Sequence, residues 1–188
     1  LNNVEINGNG SYLYSSFKKA DVIVLEECYN VKIHGFRFGH KIANEKCTGN
    51  VITIRDSYGI IIENVEICGP GAVGIYTSNC EYSFVNSEIR QCTKGAIWSE
   101  DSEVEVVDTN IHDCISRSLD LIYSSDVLVL KNVNIYNNYT DLALINTNRI
   151  PFEFYKIKIF NNSYRKKSFF TDQLMEVRFY NNKQLDWF

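Results

Sequence analysis

Proline is scarce in this chain of 188 residues, and its scarcity bears on domain organisation. Only Pro70 and Pro151 occur, and no stretch rich in glycine and serine separates two hydrophobic segments. Linkers between domains are usually rich in these residues, so the sequence gives no sign of a boundary. With 45% hydrophobic residues, the chain has enough apolar side chains for a core, and we expect a single domain over residues 1–188.

Long apolar runs and a strong excess of charge are lacking too. No run of 18 apolar residues occurs, so no transmembrane segment is expected, and no secretory signal peptide is recognisable. The sequence begins at Leu1 and not at a methionine, which suggests a fragment or a processed form of a longer chain. The net charge of −4 disfavours nucleic acid as a partner, and the one basic cluster, residues 165–167, is expected to be a solvated loop.

Helical periodicity is also absent. No window of 11 residues keeps apolar side chains at i, i+3, i+4 and i+7, while β-branched and aromatic residues dominate the apolar runs. The segment Gly69 to Gly74 matches G-x-G-x-x-G, but Ile75 to Cys80 after it has the pattern of a strand and a turn. A dinucleotide site needs a helix at that point, so we predict β-structure throughout and no cofactor.

The sequence is built on a repeat. The phrase Asn64-Val-Glu-Ile67 returns as Asn86-Ser-Glu-Ile89 and as Asp108-Thr-Asn-Ile111, with a period of 22 residues. Self-similarity at such a period indicates a repeat architecture. With the isoleucine as an anchor, and spacings of 20 to 32 residues, the repeat extends to eight anchor positions: Ile6, Phe38, Ile67, Ile89, Ile111, Ile135, Ile159 and Phe179.

Two other features recur at fixed distances before the anchors. Five positions before each anchor stands a large apolar residue: Leu1, Ile33, Ile62, Phe84, Val106, Leu130, Phe154 and Leu174. Three positions before six of them stands a residue that tolerates the left-handed backbone conformation: Asn3, Gly35, Asn64, Asn86, Asp108 and Asn132. Each unit therefore reads as strand, turn, strand, sharp bend, strand and loop, which makes one coil of about 22 residues.

One such coil cannot fold alone. It hides about five side chains at roughly 1.5 to 3 kcal/mol each, against about 1 to 2 kcal/mol of backbone entropy for every ordered residue. The coils must therefore stack, each strand pairing with its equivalent about 4.8 Å away in the next coil.

The repeated pattern, Gly-Ile followed by apolar-x-apolar-x-Asn-x-x-Ile and then Asn or Cys, resembles the parallel β-helix of the pectate-lyase-like superfamily over essentially the whole chain. The resemblance implies an all-β fold, a single-stranded right-handed parallel β-helix of about seven to eight coils. It also implies a secreted, periplasmic or cell-surface protein that binds or processes carbohydrate, with a polysaccharide or oligosaccharide as its partner. The alternative is a non-catalytic structural or interaction scaffold.

In enzymes of this superfamily the groove runs over the strand after each inter-coil loop and over the flanking loops. The longest such loop here, residues 39–50, carries His40 and Lys46 and is the best single candidate for a site, although it can also serve only to cover an apolar edge. The catalytic patterns of polygalacturonase-like members and alginate epimerases are absent, as is an acidic cluster for a lyase's calcium ion. We therefore favour a protein without catalytic activity. If it is an enzyme, a polysaccharide lyase or glycoside hydrolase is expected.

The remaining site candidates come from alignment to the anchors. Asp56 and Glu100 each lie 11 residues before an anchor, two coils apart, which places their backbones about 9.6 Å apart. They are therefore a weak candidate for a catalytic carboxylate pair. His40 is a further weak catalytic candidate. Tyr76 and Trp98 align in adjacent coils, either as a platform for sugar rings or in ordinary packing. The basic candidates for substrate binding are Arg55, Lys46 and Arg117.

The six cysteines do not have the spacing of a metal site. Cys92 and Cys114 occupy one register in adjacent coils, followed there by Asn138, Asn162 and Asn182. This register predicts a stacked turn ladder with cysteine as a small buried residue, while a disulfide between the two also stays open. There is no C-x-x-C motif, and the three histidines fall at different offsets, so no metal is predicted. Two glycosylation sequons begin at Asn138 and Asn161.

The strand after each inter-coil loop is apolar at nearly every position. Whichever register points inward, the outward set is then apolar: either Ile23, Leu25, Ile52, Ile54, Tyr76, Trp98, Ile122 and Leu144, or Val22, Val24, Val51, Ile75, Ile97, Leu119, Leu121 and Ile145. Such a surface is larger than a monomer normally exposes. We therefore expect cover from the loop 39–50 at one end, and from another subunit, a further segment or a ligand along the rest.

Overall fold

The computed structural model describes residues 1–41, 47–69, 71–148, 152–166 and 174–185, and every regular element in these ranges is a β-strand. In chain order the strands are β1 (Asn2–Asn7), β2 (Tyr12–Ser15), β3 (Ile23–Glu26), β4 (Tyr29–His34), β5 (Arg37–His40), β6 (Ile52–Glu63), β7 (Glu66–Cys68), β8 (Val73–Val85), β9 (Glu88–Arg90), β10 (Gly95–Glu100), β11 (Glu103–Val107), β12 (Asn110–His112), β13 (Ile115–Ser116), β14 (Ile122–Ser124), β15 (Leu128–Lys131), β16 (Asn134–Tyr136), β17 (Tyr139–Thr140), β18 (Ile145–Asn146), β19 (Phe152–Tyr155), β20 (Lys158–Phe160), β21 (Ser163–Tyr164), β22 (Leu174–Met175), β23 (Arg178–Tyr180) and β24 (Lys183–Gln184). Within the described ranges, no helix is long and apolar enough to cross a membrane.

The strands form four columns, numbered here in the order in which the chain passes through them. Column 1 holds β3, β10, β14 and β18 with the first halves of β6 and β8. Column 2 holds β1, β4, β11, β15, β19 and β22 with the second halves of β6 and β8, so that columns 1 and 2 make one sheet of 12 strands. Column 3 is a sheet of 8 strands, in the order β2-β5-β7-β9-β12-β16-β20-β23, and column 4 is a sheet of 4 strands, β13-β17-β21-β24. The result is a parallel β-solenoid of about 7 turns, as predicted.

The anchor residues form a continuous buried row inside column 3. Ile67 pairs with Ile89, and Ile89 pairs with Ile111. The row includes Phe38, Ile67, Ile89, Ile111, Ile135 and Ile159, each 0% exposed. A second buried row, in column 2, consists of the residues five positions earlier: Ile33, Ile62, Phe84, Val106, Leu130 and Phe154. From Phe38 to Ile159 the predicted repeat is therefore confirmed. The last anchor, Phe179, pairs with Ile159 as predicted but is 46% exposed.

The first anchor is wrong. Ile6 pairs with Ile33 in column 2, and the residue that pairs with Phe38 in column 3 is Leu13. The connection between β1 and β2, residues 8–11, has four residues, whereas the same connection in later coils has two. Counting from a constant bend therefore placed the anchor one strand too early.

Left-handed bends separate columns 2 and 3, as the asparagine pattern predicted. The residues with positive φ at this bend are Gly35, Asn64, Asn86, Asp108, Asn132, Lys156 and Glu176. Asn3 also has a positive φ, but it lies beside Asn30, whose Nδ2 donates to Asn3 Oδ1 at 3.1 Å, and so belongs to a different turn. The sequence did not predict the bends at Lys156 and Glu176, because these residue types seldom adopt a positive φ.

Two more bends of the same kind recur along the solenoid. Between columns 3 and 4 the left-handed residues are Gly69, Gln91, Asp113, Asn137, Asn161 and Asn181. Between columns 1 and 2 they are Glu27, Asp56, Asn79 and Asp101, so this bend is present in four of the described coils. The connection from column 4 back to column 1 completes each coil.

The predicted turn ladder lies at the start of column 4. The backbone N–H of Cys114 donates to Asn138 Oδ1 at 3.0 Å, and that of Asn138 donates to Asn162 Oδ1 at 2.9 Å. The side-chain amide of Asn138 donates in turn to the carbonyl of Ile111, an anchor of the previous coil. Cys92 and Cys114 are buried, and all six cysteines are free thiols. Contact with Cys114, together with burial, raises the pKa of the Cys92 thiol.

The expected apolar outer surface of column 1 is wrong. The row Ile75, Ile97 and Ile122 points inward and is buried, while Tyr76 and its strand neighbours point outward. Both predicted sets mixed inward with outward residues, because the distance from this strand to its anchor is not constant. Gly59 lies in a register shift between Ser57 and Ile60 that adds one residue to its coil. Ile122, which pairs with Ile97, lies one residue nearer to its anchor than Ile97 does. A shift of one residue exchanges the two faces of a strand. The true outward row is Val24, Thr53, Tyr76, Trp98, Tyr123 and Asn146.

Replacing Ile89 with aspartate should abolish folding. The substitution leaves an unpaired charge at the centre of the anchor row, and such changes cost more than about 4 kcal/mol. The matched control, Ile89→Val, should lose only about 0.5 to 1.5 kcal/mol. Circular dichroism and urea unfolding measure both, and a cooperatively folded Ile89→Asp variant would refute the register.

Replacing Cys114 with asparagine should extend the turn ladder by one coil. The new amide oxygen is placed to accept from the backbone N–H of Cys92, and the new amide nitrogen to donate to the carbonyl of Ile89, as Asn138 does one coil later. We expect the free energy of unfolding to rise by about 1 kcal/mol, whereas Cys114→Ala should lower it. A loss of stability in Cys114→Asn as large as in Cys114→Ala would contradict the ladder.

Candidate functional site

An outward row of aromatic side chains marks column 1. Tyr76 on β8 pairs with Trp98 on β10, which pairs with Tyr123 on β14. Their inward neighbours are buried apolar or small polar residues, so the alternation of the strand directs all three rings to the outside. All three side chains are half-buried. The predicted alignment of Tyr76 with Trp98 is confirmed.

Glu100 joins the first two rings of this row. It lies two residues after Trp98 on β10 and so shares its outward face. The phenol of Tyr76 donates to Glu100 Oε2 at 2.9 Å, and the indole Nε1–H of Trp98 donates to Glu100 Oε1 at 2.9 Å. A carboxylate has about four lone-pair sites, so each oxygen of Glu100 can still accept a hydrogen bond from a ligand.

Tyr123 extends the row by one coil. Its ring lies 4.3 Å from that of Trp98, centroid to centroid, with 24° between the planes. One face of each ring is therefore covered by the other ring. Tyr123 was not predicted, because it lies 12 residues before its anchor, whereas Tyr76 and Trp98 lie 13 before theirs.

Arg55 stands in the row next to the aromatic one. It pairs with Ser78, which pairs with Glu100, so the order across three coils is Arg55, Ser78, Glu100. Burial raises the pKa of Tyr76, the hydrogen bond to Glu100 adds to the rise, and the charge of Arg55 acts in the opposite sense. The phenol of Tyr76 is thus held as a donor. Arg55, one of the predicted substrate-binding residues, lies in the outward row next to that of Tyr76 and Trp98.

The predicted pair of Asp56 and Glu100 is wrong. Asp56 lies in the left-handed bend between columns 1 and 2, one residue beyond the position equivalent to Glu100. The extra residue at Gly59 caused the error, because both acids were counted back from their anchors. Asp56 Oδ1 instead accepts a hydrogen bond from Asn79 Nδ2 at 2.8 Å, across one coil.

The other predicted site residues lie away from the aromatic row or beyond the described residues. His40 is 3% exposed, and its Nε2 lies 2.9 Å from the carbonyl of Ala20, so it serves packing in the first coils. Arg117 is exposed in the loop after β13. Lys46 lies outside the described residues. Of the two sequons, Asn138 is buried in the turn ladder, while Asn161 is exposed.

A second group of polar residues, on the outer face of column 3, was not predicted. Glu66 Oε1 accepts from Arg90, and Arg90 Nε lies 3.2 Å from Glu88 Oε1. Glu88 Oε1 also lies 2.8 Å from Nε2 of His112, whose Nδ1 lies 2.7 Å from Asp113 Oδ2. Carboxylates only accept, so both ring nitrogens of His112 donate when both contacts are made.

An aromatic column continues from His112 along the outer face of column 3. The ring of His112 stacks on Tyr136 at 4.6 Å, Tyr136 on Phe160 at 5.0 Å, and Phe160 on Tyr180 at 4.8 Å. The planes differ by only 4° to 8°. These rings cover one another's faces, so the column contributes to coil stacking more than to ligand binding. Across the part of the chain that the structure describes, no three or more His, Cys, Asp or Glu side chains are grouped to hold a metal ion.

The hydrogen bond between Tyr76 and Glu100 should give a pH-dependent contribution to stability. A raised pKa means that the folded protein holds the phenolic proton more tightly than the unfolded chain does. This contribution to stability is therefore fully present at pH values below the ordinary tyrosine pKa of 10.0. It is lost as the pH rises through the higher pKa of Tyr76 in the folded protein. We expect Tyr76→Phe to lower the free energy of unfolding by about 1 kcal/mol near neutral pH.

Urea unfolding at several pH values measures this difference, with Tyr29→Phe on column 2 as the exposed control. The difference in the free energy of unfolding between the parent and Tyr76→Phe should be constant from about pH 7 to pH 9 and should decrease above about pH 10. A difference that already decreases below about pH 9 would contradict the raised pKa of Tyr76 in the folded protein.

Comparison with known proteins agrees with the solenoid described above. A family model described as the right handed beta helix region matches residues 21–183. No curated protein and no solved structure matches the chain. The matched residues run from the strands of the second coil to β24 and make up most of the sequence. The chain therefore belongs to the right-handed β-helix family.

Proposed function

We propose that this protein binds an extended carbohydrate, a polysaccharide or oligosaccharide, on the outward face of column 1. The observation that carries the proposal is the group formed by Tyr76, Trp98 and Glu100. Sugar sites combine amphipathic aromatic rings with a few fixed polar groups. Here two aromatic donors hold one carboxylate in place, and that carboxylate keeps acceptor capacity for sugar hydroxyl groups.

The arrangement suits a ligand that runs along the axis of the solenoid. Tyr76, Trp98 and Tyr123 follow one another in adjacent coils, with Asn146 as the next residue of the row. A polymer laid across the coils meets one of these side chains every 4.8 Å or so. Arg55 adds a guanidinium at the edge of this face, where it can donate to a hydroxyl or carboxyl group of the ligand.

The proposed role is binding without catalysis. A glycoside hydrolase needs two carboxyl groups across the scissile bond, and Asp56, the predicted partner of Glu100, lies in a bend and accepts from Asn79. If the protein does have activity, the expected class is a polysaccharide lyase or a glycoside hydrolase. We propose, in line with such a ligand, that the protein acts at a cell surface, in the periplasm or outside the cell.

A scaffold without a glycan ligand is the second candidate, and one observation favours it. Trp98 and Tyr123 stack on each other, and Tyr76 and Trp98 both bond to Glu100, so the row also ties coils together. Under this alternative the aromatic side chains contribute to stability alone. The two functions therefore differ in whether a glycan is bound at all.

The double variant Tyr76→Ala with Trp98→Ala separates the two functions. Affinity electrophoresis in gels that contain soluble polysaccharides should show retardation of the parent protein and at least a tenfold loss of affinity in the variant. The reason is that the variant loses the aromatic surface as well as both donors that fix Glu100.

The matched control is Tyr29→Ala with Tyr58→Ala. These two rings are stacked at 6.1 Å in adjacent coils of column 2 and are 48% and 40% exposed, away from the proposed face. The control should keep the affinity of the parent. Loss of thermal stability in the Tyr76 and Trp98 variant, with no polysaccharide retarding the parent, would reject the glycan proposal in favour of the scaffold.

A further inference from the structure

A groove of about 410 Å³ runs along the boundary of columns 2 and 3. One wall consists of bend residues, Asn64, Asn86 and Asp108, and the other of outward residues of column 3: Arg37, Glu66, Glu88 and Asn110. Val65 and Ser87, both buried, lie at its base. The groove crosses several adjacent coils, so its long direction follows the axis of the solenoid.

Two amide side chains in this groove are available for a ligand. Among the described residues, neither Asn64 nor Asn86 has a side-chain hydrogen bond, although both adopt the left-handed conformation that the bend requires. One coil beyond the groove, Asn132 in the same bend donates its amide to Asp108 Oδ1. The bend amide at the end of the groove, that of Asn132, is therefore hydrogen-bonded within the protein, whereas the bend amides of Asn64 and Asn86 inside the groove are not.

Most charges of the groove already have partners, and its remaining carboxylate, Asp108, accepts from the amide of Asn132. Glu66 lies 3.2 Å from Arg37 and also binds Arg90. Glu88 contacts Arg90 and His112. An anionic ligand would meet three carboxylates, and a cationic one would compete with guanidinium groups for them. The groove therefore favours an uncharged ligand with many hydroxyl groups.

The backbone of the solenoid argues against an extended peptide. Peptides that add to a sheet need an open strand edge, whereas the strands β7 and β9 that line this groove are paired on both sides. What the groove does offer is a side-chain donor or acceptor on each wall in three successive coils, those of Glu66, Glu88 and Asn110, at a spacing of about 4.8 Å. This spacing is close to the length that one sugar unit adds to an extended glycan.

We propose that the groove between Asn64, Asn86, Glu88 and Asn110 is a separate binding site for an uncharged, extended oligosaccharide. The amides of Asn64 and Asn86 donate to and accept from ring hydroxyls on one side. On the other side, Glu88 accepts hydrogen bonds from sugar hydroxyls, and the side-chain amide of Asn110 donates to them. The site lies on different columns from the aromatic row, so it does not depend on the function proposed for that row.

Isothermal titration of the full chain with cellohexaose, mannohexaose and laminarihexaose tests the site. The key variant is Asn64→Gly with Asn86→Gly, because glycine keeps the left-handed bend while it removes both amides. Asn161→Gly is the matched control, since Asn161 has the same backbone conformation at an exposed bend outside the groove. Trp98→Ala reports on the aromatic row.

The parent should bind at least one of the three hexasaccharides, and the double glycine variant should lose at least tenfold in affinity for it. Asn161→Gly should leave that affinity unchanged. Failure of all three sugars to bind, or an equal loss in Asn161→Gly, would overturn the groove site. Binding that is lost only in Trp98→Ala would overturn it as well, while it would support the aromatic face.

Discussion

In-register stacking of parallel strands is the constraint on which the rest of this structure depends. A coil of about 22 residues buries too little to fold alone, so every strand relies on its equivalent about 4.8 Å away. Because the stacking is parallel and in register, a residue type that recurs in the sequence becomes a row in space. The anchor row from Phe38 to Ile159 is one result, and the outward row of Tyr76, Trp98 and Tyr123 is another.

The same constraint explains which parts of the fold the sequence predicted. Anchors from Phe38 onward were predictable, because a buried isoleucine and a bend residue three positions earlier vary little from coil to coil. Leu13 was not predictable by that route, since the connection before it has four residues where later coils have two. The register shift at Gly59 had a larger effect, because a single extra residue exchanged the two faces of column 1 in that coil.

The candidate sites were less predictable than the fold, for a related reason. Tyr76 and Trp98 were found because they keep the same distance to their anchors, and Tyr123 was missed because it does not. The link from both aromatic side chains to Glu100 depends on rotamers, which a repeat pattern does not encode. The groove was missed because its asparagines had already been explained by the bend, and one residue can satisfy a backbone requirement while its side chain stays free.

The bends show how much of a residue's identity the fold requires. The bend between columns 2 and 3 accepts Gly35 in one coil, Asp108 in another and Lys156 in a third, all with positive φ. A lysine at such a position is strained by about 1 to 3 kcal/mol, which the surrounding ladder tolerates. The backbone therefore fixes the conformation at the bend and leaves the side chain largely open. Side chains at the bends and on the outer faces are thus where this solenoid can change its chemistry without changing its core.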